Sequence, residues 1–277
     1  MTTGAYAAGS QATSALSIKN SMFINTKALV LRSVQYKESS RILTVLTPEH
    51  GKLTVSARGA VRKTSRVTAS VQPLAFSDMT LSKTRDRYLL TESQIIEQFD
   101  ELSTDLERFA LAAYFTELLD SLSDEDSPNP ELLSLGLNAL HMLCRPNERP
   151  NELIKAAFEL RAMCLSGYAP ALESCVDCGV SLNSETALSG KVFLDLYGGD
   201  VYCERCAPDN DNITLLSADA FAACRYICAC EAKRLYSFTL EAPSLLNISA
   251  VCEGYILAQL DRKFNSLDYY YKIKGLV

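Results

Sequence analysis

"KALVLRSVQYKESSRILTVLTPEHGKLTVSARGAVR", residues 27–62, alternates short apolar runs with turn formers. Three strands are predicted in it, at "KALVLRSVQ", "SRILTVLT" and "LTVSARGAV", rich in Val, Leu, Ile and Thr with partial period-two alternation. The connection "TPEHG" at 47–51 carries Pro48, which presets φ, and Gly51, which tolerates positive φ, so it reads as a hairpin. Two more strands are predicted at "PLAFSDMTLSK" (73–83) and "RYLLTESQIIEQF" (87–99). Five short strands in roughly 70 residues suit a small closed or partly open barrel, and the OB-fold is the commonest nucleic-acid-binding barrel of this kind.

Charge separates this head from the rest of the chain. Residues 22–90 hold twelve Lys and Arg against four acids, a net of +8, whereas residues 91–277 hold fourteen against twenty-nine, a net of −15. The densest part of the head, "TVSARGAVRKTSRVTAS" (54–70), contains Arg58, Arg62, Lys63 and Arg66 and no acid. Like charges so placed repel one another unless an anion sits among them, which points to a polyanion-binding domain on an acidic body. Lys and Arg on the strands and loops of a small barrel can track a phosphate backbone, and Tyr36, Phe76 or Tyr88 could stack bases.

After Asp100 the period changes. "DLERFALAAYFTELLDSL" puts Leu111, Phe115, Leu118 and Leu122 on one helical stripe, with Asp105 and Glu107 suited to a helix start. "SDEDSPNP" (123–130) is a polar break, and "ELLSLGLNALHML" and "NELIKAAFELRAMCLSG" predict two more helices. "SADAFAACRYICACEAKRLYSF" reads as one long helix from a Ser217 N-cap, and "NISAVCEGYILAQLDRKF" as a last one. The expected fold is α+β and multidomain: an OB-fold barrel at 27–100, a helical domain at 101–170 and 213–277, and a cysteine module inserted at 171–212. Residues 1–26 are expected to form a flexible leader, with Met22 as an alternative start, since they lack the basic and apolar regions of a signal peptide.

The inserted module holds "CVDC" and "CERC", that is Cys175, Cys178, Cys203 and Cys206, with 24 residues between the two pairs. Two residues between thiols let both sulfurs face one ion, and two such knuckles complete a tetrahedral sulfur shell for Zn²⁺. The intervening "KVFLDLYGGDVY" reads as a hairpin turning at Gly198-Gly199 and bringing the knuckles together. Four thiolate ligands leave no open position, so a structural zinc ribbon is expected. Cys224, Cys228 and Cys230 do not converge on a helix and, with Cys144, Cys164 and Cys252, read as small core residues.

Catalytic patterns are missing from the sequence. It has two histidines, His50 and His141, and contains no G-x-S-x-G, no G-x4-G-K-[ST] and no H-x-E with P-C-x2-C. We therefore expect no enzyme, and no run of 18 apolar residues suggests a membrane span. Without an export signal the cysteines are expected to be reduced in a cytoplasm.

The stretch at 27–62, the following "VQPLAF" (71–76) and "YGGDVYCERC" (197–206) together resemble the bacterial RecO family of DNA repair proteins, over essentially everything from residue 27 on. The resemblance implies an N-terminal OB barrel, a helical C-terminal domain and, in members carrying the cysteines, a structural zinc. It implies binding of single- and double-stranded DNA, annealing of complementary strands, and action with RecR to place RecA on DNA coated by single-strand-binding protein. Carried onto this chain, the DNA face would use Lys27, Arg32, Lys37, Arg41, Arg58, Arg62, Lys63 and Arg66, with Arg85 and Arg87 added. The acidic body would meet proteins. A pocket for the acidic C-terminal tail of single-strand-binding protein would pair an apolar hollow with a cation such as Arg145, Arg149, Lys155 or Arg161. The location implied is cytoplasmic, at the nucleoid. Two rival readings are another OB-fold and zinc-ribbon factor for transcription or RNA, and a scaffold whose basic face meets an acidic protein.

Overall fold

The computed structural model describes residues 22–36, 38–59, 67–84, 87–145, 148–182 and 191–275. Five strands, β1 (Met22–Tyr36), β2 (Ser40–Thr47), β3 (Gly51–Ala57), β4 (Phe76–Thr84) and β5 (Arg87–Glu97), close into a barrel in the order β1-β2-β3-β5-β4. All pairings are antiparallel except β3 with β5. This is the expected OB-fold barrel. Its first strand starts at Met22, five residues before the expected boundary, because Phe23 to Lys27 continue the ladder onto β4. Ile24 is buried in the barrel and Thr26 is buried beside it, so the period-two pattern simply extends upstream.

Alternation decides which side chains fill the barrel. Ala28, Val30, Leu43, Val45, Leu53, Val55, Ala57, Met79 and Leu81 form its interior. Leu29, Leu31, Leu46 and Leu74 belong instead to the core of the helical body. A register shift between Val30 and Arg32 makes this possible: Leu31 is an extra residue in the ladder and turns toward the helices.

The body contains α1 (Leu106–Leu122), α2 (Pro130–Leu143), α3 (Asn151–Leu165), α4 (Ala218–Ala229), α5 (Ala242–Gln259) and α6 (Asn265–Ile273). Asp105 caps α1 by accepting from the Arg108 N–H at 3.2 Å, and Leu111, Phe115 and Leu118 are buried as the stripe predicts. Phe115 stacks on Phe158 of α3 at a centroid separation of 4.0 Å. The long helix expected from Ser217 is cut short. Cys230 is extended, and the Arg161 guanidinium donates to the carbonyls of Ile227, Cys228 and Cys230 at 2.8–3.0 Å, satisfying groups that a continuing helix would use itself. The next helix begins at Ala242 rather than Asn247, and α6, not expected, follows it.

The barrel is seated on the body through the β2–β3 hairpin. Gly51 has φ of 65°, and a Cβ there would lie 2.6 Å from the carbonyl carbon and 2.8 Å from the nitrogen of Ser127. Beside it, Lys52 Nζ donates to the Asp120 carbonyl at 2.6 Å and lies 3.1 Å from its carboxylate. The Lys52 N–H donates to the Asp124 carbonyl at 3.2 Å. Tyr88, inside the barrel, donates through its hydroxyl to Asp126 at 3.3 Å.

The inserted module is a three-stranded sheet, β6 (Val192–Asp195), β7 (Val201–Cys203) and β8 (Ile213–Leu216), in the order β7-β6-β8. Its third strand runs past the expected limit at 212, since Ile213 to Leu216 pair with β6. Gly199, at φ of 74°, turns the hairpin beneath the Tyr255 hydroxyl of α5, and Gln259 donates to the carbonyls of Leu196 and Tyr197 at 3.0 and 2.7 Å.

Candidate nucleic-acid interface and metal centre

Strand register sorts the candidate cations. Arg32 pairs with Thr44, and Thr44 with Thr54, while the flanking Leu43, Val45, Leu53 and Val55 point into the barrel, so this row faces outward. Val34, Ile42 and Ser56 form the next row, which continues onto Leu89 of β5. Arg58 follows the last inward residue of β3, Ala57, and is exposed. Arg87 precedes Tyr88, whose ring is buried in the barrel, and is exposed on the same outer side. Thus Arg32, Arg58 and Arg87 share one outer face of β1, β2, β3 and β5, and among the described residues these rows carry no acid.

Two other candidates are not brought there. Lys27 lies directly opposite Asp78 in the β1–β4 ladder, and Leu29 and Leu31, covered by the helices, separate it from Arg32. Arg41 is in register with Gln35 and the inward Ala57, is half-buried, and donates to Ser33 Oγ at 3.0 Å. Lys37, Arg62, Lys63, Arg66 and Arg85 lie outside the described residues. Of the three aromatic candidates, Tyr36 is 51% exposed at the end of β1 on the outer side. Phe76 instead packs against the helical core, and Tyr88 is buried with its hydroxyl accepting from Lys83 at 2.7 Å. Their aromatic character alone cannot tell a stacking platform from a core residue; the register can.

The cysteine module behaves as its spacing predicts. The Sγ atoms of Cys175, Cys178, Cys203 and Cys206 all lie within 4.8 Å of one another, with Cys178 and Cys203 at 3.8 Å. Zn–S bonds of about 2.3 Å in a tetrahedron give sulfur separations of about 3.8 Å. Gly179, with φ of 70°, closes the first knuckle by donating to the Cys175 carbonyl at 2.9 Å. Burial pushes the Cys175 thiol up, but the backbone N–H groups of Cys178, Cys203 and Asp177 outweigh it and bring it down to about 6. Cys206 is pushed far up by the protons it shares with Cys178 and Cys203. As thiolates, four sulfurs this close would repel one another unless a cation sat among them, and the donor set fits one metal ion. The module's surface is acidic: Glu173, Asp177, Glu204, Asp209 and Asp211 are exposed.

In the body, Lys155 is not available to a partner. It is 1% exposed, with Nζ 2.9 Å from Glu159 and 2.6 Å from Glu253. Tyr114 donates to Glu159 at 2.8 Å and Tyr271 donates to Glu253. Burial raises Glu159 to about 7 against the pull of Lys155. Arg145 is exposed and 3.7 Å from Glu148. Arg149 donates to the Tyr236 carbonyl at 2.7 Å in a cavity of about 310 Å³ that Lys233 also lines. Arg161 borders a second cavity of about 310 Å³, whose apolar wall is Pro130, Leu135, Leu165 and Leu235.

The family model described as "Recombination protein O N terminal" matches residues 22–99, and that described as "Recombination protein O C terminal" matches residues 103–268. The chain belongs to the RecO family of DNA repair proteins. The DNA repair protein RecO of Acetivibrio thermocellus is 30% identical over 247 residues, covering 89% of this chain and 96% of the relative. That of Desulforamulus reducens is 32% identical over 242 residues (87% and 91%), and that of Alkaliphilus metalliredigens 32% identical over 253 residues (91% and 100%). The RecO N-terminal match starts where β1 starts, so the resemblance extends upstream of residue 27, to Met22. RecO membership makes this a DNA repair and recombination protein with an OB-fold DNA-binding domain.

Proposed function

We propose that the protein binds single- and double-stranded DNA without sequence preference on the outer face of β1, β2, β3 and β5, and anneals complementary strands. We further infer that it acts with RecR to place RecA on DNA coated by single-strand-binding protein. The observation that carries the reading is the outer face shared by Arg32, Arg58 and Arg87, whose strand rows carry no acid among the described residues, beside the exposed Tyr36. Guanidinium groups along such a face contact phosphates, which all sequences present alike, and binding therefore weakens steeply with salt. Masking phosphates on two strands at once reduces their mutual repulsion, a route to annealing that needs no nucleotide hydrolysis. Lys37, Arg62, Lys63, Arg66 and Arg85 extend the proposal by their place in the sequence, and Lys27 and Arg41 take smaller parts.

The metal we assign to the four cysteines is zinc, in a structural role that leaves catalysis aside. The acidic module and body repel DNA and suit protein partners. For the tail of single-strand-binding protein, acidic and apolar, we favour the cavity of Leu135, Leu165 and Leu235 beside Arg161, which combines the hollow and the cation such a tail needs. A cytoplasmic place beside the nucleoid follows from this role. The test is annealing of two complementary oligomers coated with single-strand-binding protein, without nucleotide. Wild type should anneal them, and Arg32→Glu/Arg58→Glu/Arg87→Glu, if folded, should not; equal rates would overturn the reading.

A further inference from the structure

Six of the ten cysteines lie outside the metal cluster. Four of these meet where α3, α4 and α5 pack. Cys164 of α3 and Cys228 of α4, 64 residues apart in the chain, bring their sulfurs to 3.3 Å in a thiol–thiol hydrogen bond. One turn earlier on α4, the thiol of Cys224 faces that of Cys252 of α5, which together with burial pushes the Cys252 thiol up. The two pairs differ in access: Cys224 and Cys252 are buried, whereas Cys164 and Cys228 are each half-buried. The first pair is also held in place. Arg161, one turn before Cys164, binds the carbonyl of Cys228 and those of Ile227 and Cys230, pinning the end of α4 against α3.

We propose that Cys164 and Cys228 are an oxidation site, a thiol pair that a hydroperoxide converts into a disulfide joining α3 to α4. A disulfide needs sulfurs at about 2.05 Å, so the pair has to close by little more than about 1 Å, within the reach of side-chain rotation. Cys164 is the attacking sulfur. The hydrogen bond it shares with Cys228 and the charge of Arg161 hold its thiol below the ordinary range despite its burial, and the same pairing and burial push Cys228 up. The Cys164 thiolate attacks one peroxide oxygen, the O–O bond breaks, and the other oxygen leaves as an alcohol or water after taking a proton. The sulfenic acid on Cys164 is then attacked by the Cys228 sulfur, releasing water. Two thiols and one hydroperoxide thus give one disulfide, one alcohol or water, and one further water. The new bond fixes α3 next to Leu165 and Arg161, which line the apolar cavity of the body.

The experiment treats the zinc-loaded full chain with a small excess of hydrogen peroxide, blocks remaining thiols, and maps cross-linked peptides by mass spectrometry with and without reductant. The expected result is a reducible Cys164–Cys228 link with the metal retained, lost in Cys164→Ala and in Cys228→Ala and kept in Cys230→Ala. Because the wild-type map is read directly, the outcome does not depend on any variant folding. Absence of that link, or links confined to Cys175, Cys178, Cys203 and Cys206 with loss of metal, would overturn the proposal.

Discussion

Replacing Arg32, Arg58 and Arg87 together by Gln removes three cations from one face of the barrel without touching its interior, since each precedes or follows an inward residue that stays in place. If each contacts one phosphate of a single strand, each contributes about 0.7 to the slope of log affinity against log salt, or roughly 2 for the three. Over a fourfold rise in salt, from about 50 to about 200 mM, wild-type affinity should fall roughly 20-fold more than that of the triple variant. Fluorescence anisotropy of a labelled oligomer at several salt concentrations measures both slopes. Lys27→Gln is the internal control, because Lys27 faces Asp78 across the strands and lies beyond the helix-covered Leu29 and Leu31. The reasoning fails if the triple variant keeps the wild-type slope, or if Lys27→Gln lowers the slope as much as the three arginines together.

Gly51→Ala should destabilise the protein by at least about 2 kcal/mol in urea unfolding, since a left-handed backbone costs a non-glycine residue about 1–2 kcal/mol and the new Cβ meets the Ser127 backbone as well. Cys203→Ser should lower bound zinc from about one equivalent to well under half, read by metal analysis, and loosen the module to proteolysis while leaving the DNA salt slope unchanged. Glu159, raised by burial from 4.5 to about 7, holds its proton more tightly in the fold than in the unfolded chain. Its stabilising effect is complete below pH about 4.5 and is lost as pH rises through about 7, so Glu159→Gln should gain on wild type over that window, by at most about 3 kcal/mol in urea unfolding. A difference that does not change with pH would refute this. Leu135→Glu should weaken binding of an acidic, apolar tail peptide at least tenfold by calorimetry without changing DNA affinity.

Much of the barrel is legible from composition because a strand with one buried face must alternate, and β2, β3 and their hairpin do so cleanly. The bulge at Leu31 is not legible: an extra leucine in "ALVL" looks the same whether it faces the barrel or a helix that lies 80 residues further on. The end of α4 is hidden for a related reason. "EAKRL" favours helix locally, and what stops it is Arg161, a residue on another helix that takes the carbonyls. The cysteine cluster, by contrast, is written in local spacing and one hairpin, so its four sulfurs come together as expected. The cationic face lies between these extremes. The run at 54–70 announces a polyanion, but only strand register separates Arg32, Arg58 and Arg87 from Lys27, whose charge looks equivalent in the chain and is opposed by Asp78 in the fold.

The fit of Gly51 against Ser127, with Lys52 bound to the Asp120 carbonyl and carboxylate, leaves the joint between barrel and body without slack. On the proposed role, a strand held by the barrel would be passed on by bending of the nucleic acid or by the incoming protein rather than by a swing of the barrel about this joint. An insertion of even one residue into the tip of that turn would unseat the whole N-terminal half, and length variation among relatives should therefore collect elsewhere.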